Sequence, residues 1–252
     1  KNLSVVSGTF GGQINGSGSF TKTGVDDSAT LTLSGVNGYT GNTNVTHGTL
    51  ALAAENAIAS SAWVNLTGNG KLTAANNQTV VKLSTGADTV IDFGAARNSL
   101  TVNGAVDIKG GVANVGSLNL AKGEVSGVLS NIDVLNKNGA ETLTLSGVNT
   151  YTGATVINGG VLAISGSGSI AASSGLMINS GTFNVAAATG NVNLKGLNGA
   201  GSVILGDNSL TVQSGTYDGV IEGADGLIKA GGVNDVRTLT KAQNYTGTIT
   251  VT

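Results

Sequence analysis

The chain has 252 residues, a formal net charge of −2, 41 glycines and neither proline nor cysteine. Without cysteine it forms no disulfide, thiolate metal site or cysteine nucleophile, and its twelve scattered basic residues do not make a nucleic-acid-binding surface. Because proline is excluded from central strands, its absence indicates a backbone that spends most of its length in hydrogen-bonded strands.

Along the whole chain, apolar side chains recur two positions apart, mostly with Thr, Ser or Asn between them. This alternation places one row of side chains inside a β-strand layer and the other row outside. Gly, Asn, Ser and Asp separate the segments, as is typical of turns. The sequence therefore predicts many short strands, whose inward pairs are Leu31/Leu33, Leu50/Leu52, Val64/Leu66, Leu100/Val102, Val106/Ile108, Leu118/Leu120, Leu143/Leu145, Leu162/Ile164, Leu176/Ile178, Val192/Leu194, Leu210/Val212 and Ile249/Val251.

Two stretches of the chain repeat each other closely. Residues 31–52, LTLSGVNGYTGNTNVTHGTLAL, and residues 143–164, LTLSGVNTYTGATVINGGVLAI, are identical at 14 of 22 positions. A shortened third copy, LTKAQNYTGTITVT, occupies residues 239–252. The recurring positions that we interpret as structural are Tyr39, Gly41, Tyr151, Gly153, Tyr245 and Gly247.

A second motif precedes each copy. It reads GTFGGQINGSGSFTKTG from Gly8, GEVSGVLSNIDVLNKNG from Gly123 and GTYDGVIEGADGLIKAG from Gly215. Corresponding positions are Phe10, Val125 and Tyr217 near its start and Lys22, Lys137 and Lys229 near its end. We therefore expect a single β-helical segment of repeat units near residues 1–97, 98–207 and 208–252, with the last unit truncated.

Self-similarity on this scale is typical of solenoids, in which each unit buries its apolar face against its neighbours. Each long unit contains several predicted strand pairs, so it corresponds to several turns of a coil. Glycine suits tight corners where a side chain would collide with the next turn. The sequence predicts an all-β parallel β-helix of about ten to twelve rungs, and a pair of β-sandwiches is the alternative.

The motif LTLSGVNTYTGATVINGGVLAI, with the Gly-x-Ile-x-Gly-x-Gly-x-Leu-x-Lys-x-Gly pattern before it, resembles the passenger-associated repeat of autotransporter proteins, also called the autotransporter-associated β-strand repeat. The resemblance covers roughly residues 8–66, 99–178 and 209–252. It implies a right-handed parallel β-helix, a Gram-negative origin and secretion to the bacterial cell surface through an outer-membrane barrel in the parent chain. The third copy departs from the pattern because it lacks the Leu-Ser-Gly lead.

Because the chain opens at Lys1 without a secretory signal, we expect either a mature product or a piece of a longer protein. Side chains that carry catalysis are sparse. His47, the sole histidine, lies in a predicted turn, which favours a solvated side chain over a catalytic triad or a histidine metal site. Asp26 and Asp27 are a possible calcium pair, but a solvated loop is the preferred interpretation.

Arg97 and Arg237 have no acidic cluster beside them in the sequence. Polysaccharide cleavage needs such acids and bases clustered on one face. We therefore predict a protein that is not an enzyme, with no catalytic residue, metal or cofactor. A polysaccharide-active β-helix enzyme is the remaining alternative.

The outward positions supply the candidate binding residues. Trp63 is the aromatic residue that we expect to be exposed, because Gly175 occupies the equivalent position of the other copy. Thr32 and Thr144 are expected to point outward from equivalent strands. The recurring tyrosines are interpreted as core or corner residues, with an outward ladder for sugar rings as the alternative.

Two modes of assembly follow from these features. A flank of weakly charged Thr, Ser and Asn rows favours lateral self-association of an adhesin-type segment, with itself and with host or neighbouring-cell surfaces as partners. Strand edges at the ends of the coil favour a head-to-tail extracellular fibre instead. Both hypotheses place the protein outside the cell, and neither involves nucleic acid.

Overall fold

A computed structural model describes residues 1–24, 26–232 and 235–252. These residues form β-strands and turns, apart from one 3₁₀ turn at Gly94–Ala96. The chain divides into two compact units, of which the first comprises Lys1–Leu120 with Ser126–Ile132 and the second comprises Ala121–Val125 with Asp133–Thr252. Strands β15 and β16, whose bounds follow below, contribute residues to both units.

In the first unit, parallel strands stack in three ladders. The first ladder joins β1 (Leu3–Val5), β4 (Phe20–Lys22), β7 (Thr43–Val45), β9 (Val64–Leu66), β12 (Leu83–Thr85) and β14 (Leu100–Ile108). The second joins β2 (Gly8–Phe10), β5 (Thr30–Leu33), β8 (Thr49–Leu52), β10 (Lys71–Ala74), β13 (Val90–Asp92) and β15 (Gly111–Val125). The third pairs β3 (Asn15–Gly16) with β6 (Gly38–Tyr39), and β11 (Gln78–Val80) with β14.

The second unit has the same three-ladder construction. Its first ladder joins β15, β17 (Thr142–Leu145), β19 (Val161–Gly166), β21 (Thr182–Ala188), β23 (Ser202–Ile204), β25 (Val220–Gly223) and β28 (Asn244–Tyr245). Its second joins β16 (Leu129–Lys137), β18 (Ala154–Ile157), β20 (Leu176–Ile178), β22 (Val192–Gly199), β24 (Leu210–Tyr217) and β27 (Arg237–Leu239). Its third joins β22, β24, β26 (Leu227–Lys229) and β29 (Ile249–Val251).

Successive turns therefore lie one above the other with every named pairing parallel, and the chain makes about twelve such turns. This arrangement is a β-solenoid, and it confirms the predicted all-β parallel β-helix. The division into three repeat units stays a prediction.

The core of each unit consists of the inward rows that the alternation predicted. Leu31 and Leu33 are 2% and 0% exposed, and Leu143 and Leu145 are fully buried. Thr32 and Thr144, which lie between them in sequence, are half-buried on the outer face. Because each inward residue stacks on its counterpart one turn away, a continuous apolar column fills the coil.

Two sets of inward apolar side chains are nevertheless exposed. Ile249 and Val251 are 59% and 76% exposed, and Phe10 is 42% exposed. Ile249 and Val251 lie opposite Leu227 and Lys229 on the inward row, as the alternation predicted. Strand β29 pairs with β26 and strand β2 pairs with β5, each on one side among the described strands. These side chains are therefore exposed, because burial in a solenoid needs a neighbouring turn on both sides.

The third repeat copy pairs in the same register as the first two. Leu31 lies opposite Gly8, Leu143 lies opposite Gly123 and Arg237 lies opposite Gly215. Leu239 therefore takes the position of Leu33, and Tyr245 follows it by six residues, as Tyr39 follows Leu33. The third copy thus begins at Arg237, and because its spacing is unchanged, every side chain keeps its own face.

Two glycines of the second unit allow a test of how closely the turns approach one another. Both have left-handed backbones, with φ of 62° at Gly160 and 55° at Gly166. A Cβ added at Gly160 would lie 2.4 Å from the carbonyl oxygen of Glu141, whereas one added at Gly166 meets nothing within 4 Å. We expect Gly166→Ala to lower the free energy of unfolding by about 1–2 kcal/mol from backbone strain alone.

Gly160→Ala should cost more than Gly166→Ala, since the clash with the neighbouring turn adds to the same strain. Urea unfolding followed by far-ultraviolet circular dichroism measures both variants. Equal losses in the two variants would contradict the role assigned to close contact between turns.

Candidate functional site

The first recurring tyrosine closes a corner of the coil from the inside. Tyr39 is 2% exposed, and its ring packs on Phe20 with 5.7 Å between the ring centroids. The Tyr39 hydroxyl is hydrogen-bonded to Thr43 Oγ1, and Thr43 donates to Ser61 Oγ at 2.9 Å. Ser61 donates to the carbonyl oxygen of Gly41 at 3.1 Å. The hydroxyl network therefore ends on the backbone of the corner.

The same network recurs 112 residues later in the second unit. Tyr151 is 1% exposed and its hydroxyl lies 2.7 Å from Thr155 Oγ1, which lies 3.1 Å from Ser173 Oγ. Ser173 donates to the carbonyl oxygen of Gly153 at 2.7 Å. The repeat positions Tyr39, Gly41, Tyr151 and Gly153 are thus two copies of one corner.

Sequence reasoning missed the threonine and serine of this network. The signal was present, because Thr155 and Ser173 stand 112 residues after Thr43 and Ser61, with the same residue type at each position. Burial raises the pKa of Tyr39 to about 12 and also raises that of Tyr151. The tyrosine hydroxyls therefore stay protonated near neutral pH and act as hydrogen-bond donors rather than nucleophiles.

A buried asparagine completes the same corner. Asn37 donates from Nδ2 to the carbonyl oxygens of Gly35 at 3.0 Å and Ala57 at 2.9 Å, and its Oδ1 accepts from the backbone N–H of Ile14 at 2.9 Å. Asn149 makes the equivalent donations in the second unit. The side-chain amide therefore takes the place of a peptide group where the strand pairing stops.

In the third copy a glutamine takes this role. Gln243 Oε1 accepts from the backbone N–H of Ile221 at 2.7 Å, and its Nε2 donates to the carbonyl oxygen of Lys241 at 2.7 Å. The replacement of asparagine by glutamine in the third copy thus preserves the hydrogen bonds made at this position. Tyr245 and Gly247 of this copy are half-buried rather than enclosed.

The recurring lysine is the second unusual feature of the corners. Lys137 is fully buried, and its Nζ donates to the carbonyl oxygens of Asn138 at 2.7 Å, Gly139 at 3.0 Å and Gly159 at 2.9 Å. Burial lowers its pKa, while the Glu141 carboxylate opposes the shift. The ammonium group thus joins two turns through carbonyl oxygens, the ligand type that a hard metal cation would otherwise use.

Lys22 does the same in the first unit. It is fully buried, and its Nζ donates to the carbonyl oxygens of Thr23 at 2.9 Å and His47 at 2.8 Å. Burial lowers its pKa and Asp26 opposes the shift. The imidazole of His47 is exposed in a turn. Lys229, the third member of the set, is half-buried and donates to the carbonyl oxygen of Ala230.

Thr32 and Thr144 lie in the outward rows of two ladders. Thr32 is in register with Thr9 and Ala51 on the neighbouring strands. Thr144 is in register with Glu124 and Ala163. Both threonines are half-buried between these neighbours, so the hydroxyls belong to a flat outer surface.

Trp63 lies at a corner beside the first ladder. It is 39% exposed, and Lys82 Nζ lies 5.3 Å from the centre of its ring. This is a cation–π contact between two surface side chains. The indole ring of Trp63 therefore contacts Lys82 and takes no part in the Tyr39 network. The backbone of Trp63 does contact that network, because its carbonyl oxygen accepts a hydrogen bond from Ser61 Oγ at 3.2 Å.

The acidic pair of the first unit is engaged in its own loop. Asp26 Oδ1 accepts from the Ser28 hydroxyl at 2.7 Å and from its N–H at 3.0 Å, and the hydroxyl contact lowers the Asp26 pKa. Asp27 accepts from Asn69 at 2.8 Å. Within the described parts of the chain, no group of three His, Cys, Asp or Glu residues is placed to hold a metal ion. Among the helical segments described there, none has the length and hydropathy needed to cross a membrane.

Comparison with known proteins points to one family. The family described as Passenger-associated-transport-repeat matches residues 20–52 and 135–164, which contain the two copies of the lysine and tyrosine corner. A relative, the adhesin BmaC autotransporter of Brucella suis biovar 1 (strain 1330), is 32% identical over 155 residues, which are 61% of this chain and 4% of that protein. No solved structure matches. The resemblance to autotransporter passengers is confirmed.

The hydroxyl network predicts a specific stability effect. Thr155→Val keeps the side-chain shape but removes the hydrogen-bond partner of the buried Tyr151 hydroxyl, whereas Ser173 keeps its bond to the Gly153 carbonyl oxygen. We expect the free energy of unfolding to fall by about 1–3 kcal/mol. Thr144→Val, on the outer face of the neighbouring ladder, is the control and should change it by less than about 0.5 kcal/mol. Similar losses in both variants, measured by urea unfolding, would contradict the network.

The raised tyrosine pKa predicts a loss of stability in alkali. The Tyr39 pKa is about 12 in the folded chain and 10.0 in its unperturbed state, so the folded chain holds this proton more tightly. The resulting stability is fully present below pH 10 and is lost as the pH rises through 12. Tyr39→Phe should therefore lose less stability than the unchanged chain between neutral pH and about pH 11. Parallel losses in urea unfolding would rule out this contribution of Tyr39.

Proposed function

We propose that the chain is an autotransporter passenger segment with a non-enzymatic structural and adhesive role at the surface of a Gram-negative bacterium, and its matches to the Passenger-associated-transport-repeat family support this proposal. The β-helix displays its flanks there and associates laterally with other copies of itself. A longer parent chain with an outer-membrane translocation barrel supplies the export route. The surfaces of host or neighbouring cells are the further partners of this proposal.

The observation that supports lateral association is a neutral polar row on the first ladder of the first unit. Its outward members over five successive turns are Ser4, Thr21, Asn44, Asn65 and Ser84, and Asp107 follows them in register with Ser84. Asn65 Nδ2 donates to Asn44 Oδ1 at 3.2 Å, and Asn44 Nδ2 lies 3.4 Å from Thr21 Oγ1. Amides aligned in this way keep further donors and acceptors for a facing surface.

Charge does not oppose the approach of two such rows. The chain carries 12 basic and 14 acidic residues among its 252, so like-charge repulsion between facing copies is weak. Hydrogen bonds repeated at each turn, individually of modest strength, add along the flank. This favours a contact between two coils side by side.

The chemistry of the corners supports a non-enzymatic role. The Tyr39 and Tyr151 networks end on backbone carbonyl oxygens, and the Lys22 and Lys137 ammonium groups are enclosed by carbonyl oxygens. These polar groups hold turns together and are withdrawn from solvent. The groups left for recognition lie on the outward rows, together with Trp63.

The experiment places charges on the neutral row itself. Thr21→Asp combined with Asn65→Asp adds like charges to this flank without changing the core, because both side chains point outward. In cells that display the chain, we expect slower settling, and in purified chain we expect a smaller average mass by light scattering. Thr21→Ser combined with Asn65→Ser is the matched control and should behave as the unchanged chain.

Unchanged clumping by the Asp variant would count against this flank. Electron microscopy of the same samples distinguishes the head-to-tail alternative, in which the double Asp variant still forms long fibres. Side-by-side pairs that disappear in the Asp variant support the lateral proposal.

A further inference from the structure

A groove of about 390 Å³ crosses the outer face of the first unit. Its floor is formed by the outward positions of strands β8 and β10 and the residues that follow them, including Ala51, Ala53, Thr73 and Ala75. Ala51 lies opposite Thr73 in the ladder. Since adjacent small side chains leave the sheet surface low, the floor is flat and mostly apolar.

The wall of the groove is the 3₁₀ turn Gly94–Ala96, which projects from the coil after β13. Phe93, just before it, is 2% exposed and fixes the start of the turn in the core. Arg97, just after it, has a left-handed backbone with φ of 50°. Non-glycine residues seldom adopt this conformation. At Arg97 it is stabilised by hydrogen bonds of the guanidinium group, which fix the end of the wall.

Those contacts form a chain of side-chain hydrogen bonds that leads back to the groove. Arg97 donates from Nη1 to Asn131 Oδ1 and from Nη2 to the Asn131 carbonyl oxygen at 3.1 Å. Asn131 donates to Asn114 Oδ1, and Asn114 donates to Asp92 Oδ1 at 2.7 Å. Asn114 and Asn131 also have positive φ, of 59° and 49°. Asparagine adopts this conformation more readily than other non-glycine residues, so both residues fit these positions and support Arg97 through the chain of hydrogen bonds.

Asp92 supplies the charge of the groove. It is the one charged side chain among the described residues that line it. Its Oδ1 accepts from the backbone N–H of Gly94 at 2.8 Å and from Asn114, both of which are neutral donors. A carboxylate has about four acceptor positions, so Asp92 has acceptor positions left for a cationic donor.

We propose that this groove binds a lysine or arginine side chain from an extended segment of a partner protein. The aliphatic stem lies on Ala51, Ala53 and Ala75, and the cationic end pairs with the Asp92 carboxylate. Long basic side chains bury their stems on apolar surface while the charged end keeps a polar partner. A saccharide fits less well, because Phe93, the aromatic residue in the lining, is buried rather than available for stacking.

The site is distinct from the lateral flank of the proposed function and does not depend on it. Mixed apolar and polar lining of this kind is typical of binding pockets, which range from about 300 to 1,000 Å³. The groove therefore adds a peptide-recognition site to a surface that otherwise consists of uniform polar rows.

The experiment is a titration of the full chain, followed by amide chemical shifts, with N-acetyl-lysine-N-methylamide as the probe. Its norleucine counterpart has a similar stem without the charge. We expect saturable shifts at Ala51, Thr73 and Asp92 with the lysine probe, and binding weaker by up to about fivefold with the norleucine probe, since loss of the ion pair removes a favourable contact.

Two pairs of variants locate the binding. Asp92→Asn keeps an acceptor for Gly94 and should weaken binding of the lysine probe to the level of norleucine, whereas Asp107→Asn, on the outward row of the first ladder, should not. Ala51→Leu fills the groove and should abolish the shifts. Ala163→Leu, at the equivalent repeat position of the second unit, should leave them unchanged.

Several results would overturn the proposal. They are shifts scattered over the surface, equal binding of the lysine and norleucine probes, and binding that survives both Asp92→Asn and Ala51→Leu. Since all four positions lie on the outer face, the circular dichroism spectrum of each variant checks that the fold is intact. Clumping of displaying cells is measured separately, so failure of the groove and failure of the lateral flank remain distinguishable.

Discussion

Where a strand of a β-helix ends and the chain turns a corner, its carbonyl oxygens leave the ladder and must find other donors. In this protein, side chains from the repeat motifs supply those donors. Asn37 bonds the carbonyl oxygens of Gly35 and Ala57, and Lys137 bonds those of three residues at once. The stacking of turns depends on this, because an unpaired buried carbonyl group would cost about as much as a lost hydrogen bond.

This arrangement separates structure from recognition. The conspicuous polar residues of the repeat, its tyrosine, lysine and asparagine, face inward and are occupied with the backbone of neighbouring turns. The outward rows carry small neutral side chains that the core does not constrain. The outer surface can therefore change while the inside of the coil stays the same, which suits the surface role proposed for this chain.

The sequence predicted the strands and the parallel stacking because both follow from a period of two and from the repeat. It did not predict the burial of Lys22 and Lys137, since lysine is rarely fully buried and only three-dimensional proximity brings carbonyl oxygens around it. It placed Ile249 and Val251 correctly on the inward row, but alternation predicts a face and not whether a neighbouring turn covers it, so their exposure was not predicted. The groove beside Asp92 was also missed, because its floor and wall come from three separate turns and its supporting residues, Arg97, Asn114 and Asn131, share no motif.

The third copy has a consequence for how such coils diverge. Its sequence differs from the first two, but the spacing from Arg237 to Tyr245 equals that from Leu31 to Tyr39, so Leu239 stayed inside and Thr238 stayed outside. Loss of a single residue would instead exchange the two faces and place polar side chains in the core. Insertions or deletions within a strand are therefore tolerated differently according to their length. A change of an even number of residues moves the strand along its ladder and keeps each side chain on its face, whereas a change of an odd number must be accommodated in a corner or a bulge.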